Sequence, residues 1–470
     1  MKLSLLDGNL DGEVAVWGAS KLGRFCIDEL RSHGIKVNQV LDGDKNKWGS
    51  TFEGLVVSAP RHYDNSNINL ILVVASQYWN QIVAQAFKEL KFDRVFVFSS
   101  PLGAAQPTLI ELRRDCDSRN RFDICFVQAN YSGSNSWALY KHVTTVHPEL
   151  NSTLIQRNGL DPDSLNRARS SKLHFVTHEY DFFEDIPSIQ AYHGFPLKGI
   201  GAMSRYQSLN SINNTKRAWE KHRSILSYSS AYTSLMSACF GGTHLSYKIT
   251  GMPRNDLLKD TKKSRQLLEK IFPELSTFDC IGFYAPTFRE TKFGQVNGVP
   301  VTGFLPDSIN EYAVSEFCEK RRIALIKKSH PYEFEGISNE RPGLFCLDDN
   351  TLERYELDLY EVLGAFDFLV TDYSSIYFDF LLLNRPIGFI SYDLEEYSST
   401  RGFLISPYDF WAPGAQIHST NELLEFLTSV LCESDAFCKQ RNDVGRIVHD
   451  YQDFSSCERA MEKIVREIET

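Results

Sequence analysis

No Cys-x-x-Cys pair occurs in this sequence of 470 residues, and its ten cysteines stand scattered at 26, 116, 125, 239, 280, 318, 346, 432, 438 and 457. Neither a zinc site nor a disulfide framework has that spacing; reduced, buried thiols in a cytosolic protein do. No run reaches the ~18–20 apolar residues of a membrane-spanning helix, and the N-terminal stretch meets Asp7 before a signal-peptide core can build up. A soluble protein, or at most one resting on a membrane surface, is therefore expected. Internal repeats and low-complexity tracts are absent too, and cations are in deficit, fifty Lys and Arg against sixty Asp and Glu for a net charge of −10. Binding nucleic acid over the whole surface is excluded by that balance, because neutralising phosphates needs clustered positive charge.

What is present is an ordinary globular composition, 42% apolar and 23% charged with 13% aromatic residues. At ~100–200 residues per domain the length predicts two to four domains. Strand and helix signals alternate from the start. EVAVW (13–17) precedes Gly18, Gly23 and an amphipathic helix from Lys21; KVNQVLD (36–42) and NLILVVAS (69–76) follow, and the block closes near VFVFSSPLG (95–103). This predicts a small doubly wound unit. Gly18-x-x-x-x-Gly23 with Asp42 is a degenerate dinucleotide pattern, which a tight strand-to-helix turn explains equally well. The polar segment 104–121 reads as a linker and a helix start. Alternation resumes at FDICFVQA (122–129) and again at SYKIT (246–250), giving expected domains 1–105, 106–250 and 251–470. The last two form a pair with a ligand cleft between them.

Five polar motifs each follow an apolar run: His193-Gly194, Gly251-Met252-Pro253-Arg254-Asn255-Asp256, Pro286-Thr287-Phe288-Arg289, His330-Pro331, and Thr371-Asp372-Tyr373-Ser374-Ser375. In open α/β sheets ligands bind beyond the carboxyl ends of strands, so the last four are expected to face one crevice, with His193 opposite. Arg254, Arg289, Lys327, Lys328 and His330 supply charge and donors suited to phosphate oxygens. Ser374 and Ser375 open the apolar run 376–383, where free N–H groups favour an anion and where plain N-capping is the alternative. Asp379 lies on the same helical face, placed for a ribose or for a favourable charge near the helix start. With an ordinary pKa near 6.5, one of His193 and His330 suits a base toward a hydroxyl and the other a donor to phosphate. Cys239 has no histidine partner at a diagnostic spacing and reads as core.

Residues 196–223 hold Lys198, Arg205, Lys216, Arg217, Lys221 and Arg223 against Glu220 alone. This basic island suits an anionic polymer or a headgroup surface, and a solvated helix face is the alternative.

QAYHGFPLKGIG (190–201), ITGMPRNDLL (249–258), YAPTFRE (284–290), IKKSHP (326–331) and VTDYSSIYFDFLLLNRPIGFISYDLEEYSSTRGF (370–403) resemble, in order and spacing, the CDP-glycerol glycerophosphotransferase family of teichoic acid polymerases, primases and capsule enzymes. The resemblance covers roughly residues 122–470. It implies an α/β protein with a GT-B-like pair of Rossmann-like domains and the active site in the inter-domain cleft; residues 1–105 lie outside it and look like the small Rossmann-like domains attached to sugar-modifying enzymes. It implies transfer of a polyol phosphate, glycerol phosphate foremost, from a CDP-linked donor to a hydroxyl of a cell-surface glycan or polyol-phosphate acceptor, with release of CMP. His193 matches the proposed general base and, with His330, the catalytic pair. Gly194, Arg254, Asn255, Arg289, Lys327, Asp372, Ser374, Ser375 and Asp379 are the expected donor contacts, and Lys198, Arg205, Lys216 and Arg217 the acceptor or membrane surface. Tyr192, Phe195, Met252 and Ser329 depart from the residues common in the family. With no Asp-x-Asp among the motifs, no metal or cofactor is expected. The expected partners are CDP-glycerol or CDP-ribitol and an anionic glycan or lipid-linked acceptor, and the expected location is the cytoplasm, with peripheral contact at the cytoplasmic face of the cell membrane as the alternative. A CDP-ribitol enzyme and a nucleotide-sugar glycosyltransferase of the same shape are the alternatives.

Overall fold

Short runs rich in Val, Ile, Leu and Phe, bounded by turn residues, become buried strands here, and the amphipathic stretches between them become covering helices. The computed structural model describes residues 10, 12–60, 69–76, 79–90, 92–99, 107–112, 122–156, 162–178, 183, 185–205, 207–287, 303–329 and 341–469. The chain divides into two compact units, Met1–Ala129 with Val143–Ile189, and Asn130–His142 with Gln190–Thr470.

In the first unit, seven strands form one sheet in the order Thr51–Phe52, Leu55–Ser58, Val37–Leu41, Glu13–Trp17, Leu70–Val74, Arg94–Ser99, Thr108–Leu112. Glu13–Trp17 pairs in parallel with Val37–Leu41 and with Leu70–Val74, as in a doubly wound unit. The expected linker is corrected at Thr108–Leu112, which is a strand antiparallel to Arg94–Ser99; its Leu109, Ile110 and Leu112 are buried, so apolar burial prevails over the polar flanks. Three further strands, Phe122–Gln128 between Ser152–Gln156 and Ser171–Val176, pair in parallel. One core cluster joins Trp17, Val74, Val97 and Ile110 of the first sheet to Cys125, Val127, Ile155, Leu165, Val176 and Phe183.

The glycine pattern of this unit is accounted for by packing. A Cβ on Gly23 would lie 1.7 Å from the Gly18 carbonyl oxygen, and one on Gly18 would lie 2.3 Å from that of Ala75. Asp42 is nearly buried and accepts from the Ala19 amide at 2.8 Å, the Asp44 amide at 2.8 Å and Lys47 Nζ at 3.0 Å. Its carboxylate closes the strand-end turn, the local role that the sequence left open beside a ribose contact.

The second unit is built on a six-stranded sheet in the order Leu344–Leu347, Ile323–Lys328, Cys280–Ala285, Phe368–Thr371, Ile387–Ile390, Ala415–Ile417. All pairs are parallel, so every carboxyl end lies on one edge. Three of the sequence motifs begin at the two innermost strands and their neighbour on that edge. A further parallel pair, Ser224–Ser227 with Tyr247–Ile249, leads into the Gly251–Asp256 turn. Among the described residues no helix is long and apolar enough to cross a membrane.

Candidate active site

Strand ends deliver the site. A cavity of about 270 Å³ is lined by Asn130, Ser132, His193, Arg254, Phe283, Ala285, Pro286, Lys328, Ser329, Asp349, Leu359, Tyr360, Ser374, Ser375 and Ile376. Pro286, Ser329 and Ser374 each follow one of three adjacent parallel strands, and parallel register brings them together.

His193 is exposed, with its ring centroid 4.1 Å from that of buried Tyr192. Gly194 turns the chain against Ser375: a Cβ there would lie 3.0 Å from Ser375 Oγ and 3.5 Å from Arg254 Nη2. A side chain at 194 would thus push His193 away from the serines. The helix expected over 376–383 is a short α-helix, Ile376–Phe380, followed by a 3₁₀ turn, Leu381–Leu383. Ser375 occupies its N-cap without a side-chain capping bond. Both serines are half-buried, and neither hydroxyl bonds another described residue, so both are available to a ligand in the cavity.

Arg254 lines the cavity but is spoken for. Its Nη2 meets Asp379 Oδ2 at 2.5 Å and donates to Tyr228 Oη at 3.1 Å, and its Nη1 donates to the carbonyls of Gly133 and His193, both at 2.9 Å. The guanidinium also sits 4.6 Å from the Tyr360 ring centroid. Asp379 is fully buried and accepts from Tyr360 Oη at 2.5 Å and Tyr228 Oη at 3.4 Å. Burial pushes both phenols well above their ordinary range, so they remain donors. Of the two roles the sequence left to Asp379, a ribose contact or a charge near the helix start, neither is decided by this geometry: Oδ2 is turned to the Arg254 guanidinium, and Oδ1 is buried without a partner among the described residues.

Neighbouring residues divide by strand alternation. Lys327, expected at the donor, is buried with Nζ donating to the Gly303 carbonyl at 2.9 Å. Lys328 faces the cavity instead, its Nζ 2.9 Å from Asp349 Oδ1, and Ser132 Oγ donates to the same oxygen at 2.6 Å. Asp372 is buried and accepts from Thr287 N and Oγ1 at 2.8 and 2.7 Å, which staples the turn after Cys280–Ala285 to the Ser374–Ser375 loop. Asn255 is buried outside the cavity lining, with Oδ1 lacking a partner among the described residues. Arg289 and His330 lie outside the described residues.

The basic island separates likewise. Arg205 Nη1 donates to the Ser398 and Ser399 carbonyls at 3.1 and 2.8 Å. Lys198 bridges to Phe403, with Nζ 5.8 Å from the Tyr397 ring centroid. Lys216 and Arg217, on the helix Leu209–Trp219, have no partner among the described residues. Buried Cys239 and Cys318 are pushed up to about 12 by desolvation, which removes them as nucleophiles.

Sequence reasoning missed Asn130, Ser132 and Asp349. The same strand-end rule finds them: Asn130-Tyr131-Ser132 follows Phe122–Gln128, and Asp348-Asp349 follows Leu344–Leu347. Behind them, Asp358 accepts from the amides of Gly133 and Ser134 at 3.1 and 2.9 Å, and burial pushes its carboxyl up to about 7.

Residues 171–467 match the model of the family described as CDP-glycerol:poly(glycerophosphate) glycerophosphotransferase. The chain is 26% identical over 254 residues to the teichoic acid ribitol-phosphate polymerase TarK of Staphylococcus aureus (strain NCTC 8325 / PS 47), covering 51% of this chain and 46% of that one. It is 28% identical over 252 residues to a teichoic acid glycerol-phosphate primase of Bacillus spizizenii (strain ATCC 23059 / NRRL B-14472 / W23), covering 52% and 60%. The chain thus spans about half the length of these curated relatives. Among solved structures it is similar to the wall teichoic acid polymerase TagF, with a TM-score of 0.60 and 17% identity, over 75% of this chain and 91% of that one. At that identity the likeness establishes the fold.

Proposed function

Because the chain belongs to the CDP-glycerol:poly(glycerophosphate) glycerophosphotransferase family, we propose that it transfers a polyol phosphate, glycerol phosphate foremost, from a CDP-linked donor to an acceptor hydroxyl. The acceptor oxygen forms a bond to the phosphorus that carries the polyol. The bond from that phosphorus to the bridging oxygen breaks, and CMP leaves with that oxygen. The hydroxyl proton goes to His193.

The observation that carries this reading is the meeting of exposed His193 with the unengaged hydroxyls of Ser374 and Ser375 in one cavity. Phosphoryl transfer asks a protein mainly for positioning and for donors to phosphate oxygens, and the two serines and Lys328 offer them. His330 and Arg289 join the pyrophosphate surroundings on the strength of the family resemblance. Arg254 acts from behind, by fixing the His193 carbonyl. Lys216 and Arg217 are the proposed contact for an anionic glycan or lipid-linked acceptor, which would place the protein at the cytoplasmic face of the membrane. CDP-ribitol is the second donor reading, favoured by the similarity to ribitol-phosphate polymerases.

His193→Ala tests the assignment. A positioned base contributes ~10²–10⁴-fold, so turnover with CDP-glycerol or CDP-ribitol should fall by that factor while calorimetric donor affinity stays near wild type. Unchanged turnover would sink the assignment.

A further inference from the structure

The backbone that carries His193 is held by two side chains, and one of them lies outside every sequence motif named above. Asn135 is the first residue of the helix Asn135–Val146 and is fully buried. Its Oδ1 accepts from the Arg254 amide at 3.1 Å, and its Nδ2 donates to the Ala191 and Tyr192 carbonyls at 3.2 and 3.4 Å. Arg254 Nη1 takes the next carbonyl, that of His193, at 2.9 Å. Three successive carbonyls are thus tied to one amide and one guanidinium, themselves joined through the Arg254 N–H. The peptide planes that aim the imidazole cannot rotate without breaking buried hydrogen bonds, each costly to leave unmade.

We propose that Asn135 is a positioning residue for His193: it sets where the imidazole stands relative to Ser374 and Ser375 without itself touching the ligand. The inference rests on the reading of His193 as the base. An amide is the one side-chain type that fits, since this place needs an acceptor for the Arg254 N–H and donors for two carbonyls within one short group. Aspartate keeps the acceptor, loses both donors and sets a charge against carbonyl oxygens. Alanine removes all three of these bonds. Asn135 does not line the cavity, and it precedes the stretch 171–467 that matches the family model.

Two measurements on the full chain test this. In the first, Asn135→Ala and Asn135→Asp are assayed with CDP-glycerol, alone and combined with His193→Ala, beside calorimetry of CDP-glycerol binding. A displacement of ~1 Å costs roughly 10²-fold, so each single variant should lose about that much kcat with donor affinity unchanged. In the His193→Ala background the further loss should vanish, because residues acting through one group are not additive. The same factor lost in both backgrounds would overturn the inference. The second measurement needs no activity: in ¹³C-histidine-labelled protein, the His193 signal, identified by its absence in His193→Ala, should shift and titrate differently in Asn135→Asp. A His193 signal and titration identical to wild type would overturn the proposal. A moved signal in a protein inactive on CDP-polyols would uphold the positioning and remove the proposed function instead. Should Asn135→Ala fail to fold, Asn135→Asp carries both measurements.

Discussion

Replacing Asp379 with alanine removes the carboxylate that faces Arg254 at 2.5 Å, where the two side chains are 0% and 4% exposed. Losing one partner of a buried ion pair costs about 3–5 kcal/mol, because the surviving charge stays desolvated and unpaired. Tyr360 and Tyr228 lose their acceptor in the same change, so the upper half of that range is expected. Against a stability of about 5–15 kcal/mol for a typical protein, such a loss should appear plainly in urea unfolding followed by circular dichroism, as a lower midpoint with little change in slope. The double variant Arg254→Met/Asp379→Leu removes both charges and should lose less than the two single losses together. It should still fall short of wild type, since the Gly133 and His193 carbonyls lose their donor. A loss under about 1 kcal/mol for Asp379→Ala, the range of a solvated surface pair, would refute the view that this pair is a buried strut behind the loop that carries His193.

Two further predictions follow from burial. His174 and His222 are held down by desolvation to about 4 and about 3; each is neutral in the fold and takes a proton first in the unfolded chain, so the stability they contribute is present above pH 6.5 and lost as pH falls toward those values. Between pH 7.5 and 5, which ends about 1.5 units below the ordinary value of 6.5, each should cost roughly 2 kcal/mol, and urea midpoints at those two pH values should differ accordingly, with the difference reduced in His222→Gln. Deleting residues 1–112 bares Cys125, Val127, Ile155 and Val176, which now pack on the first sheet. The shortened protein should aggregate or melt well below the full chain, and an unchanged melting temperature would show that the N-terminal block is a detachable module.

Much of this architecture was legible because parallel strands announce themselves. CIGFYA, RRIALIKK and FDFLV are apolar runs too short for helices, and each ends in a polar motif at the edge where the cavity opens. That rule brings His193, Ser374 and Ser375 to one cavity. What the sequence could not convey is the direction of a side chain at a strand end. Lys327 and Lys328 are indistinguishable in a pattern, yet alternation buries one and turns the other to the cavity. Arg254 and Asp379 read as ligand contacts by residue type, and only their mutual distance reveals that they pair with each other. Asn135 carried no signal at all, because its role lies in three hydrogen bonds to distant backbone.

The central claim is the transfer of a polyol phosphate. Its most direct test is mass spectrometry of acceptors and nucleotides after incubating the protein with CDP-glycerol, CDP-ribitol and a panel of UDP-sugars in the presence of short phosphoglycans. The account predicts acceptors heavier by one or more polyol-phosphate units, with CMP appearing in equal amount and both products lost in His193→Ala. Transfer of a sugar from a UDP-sugar, with the CDP-polyols left intact, would contradict it.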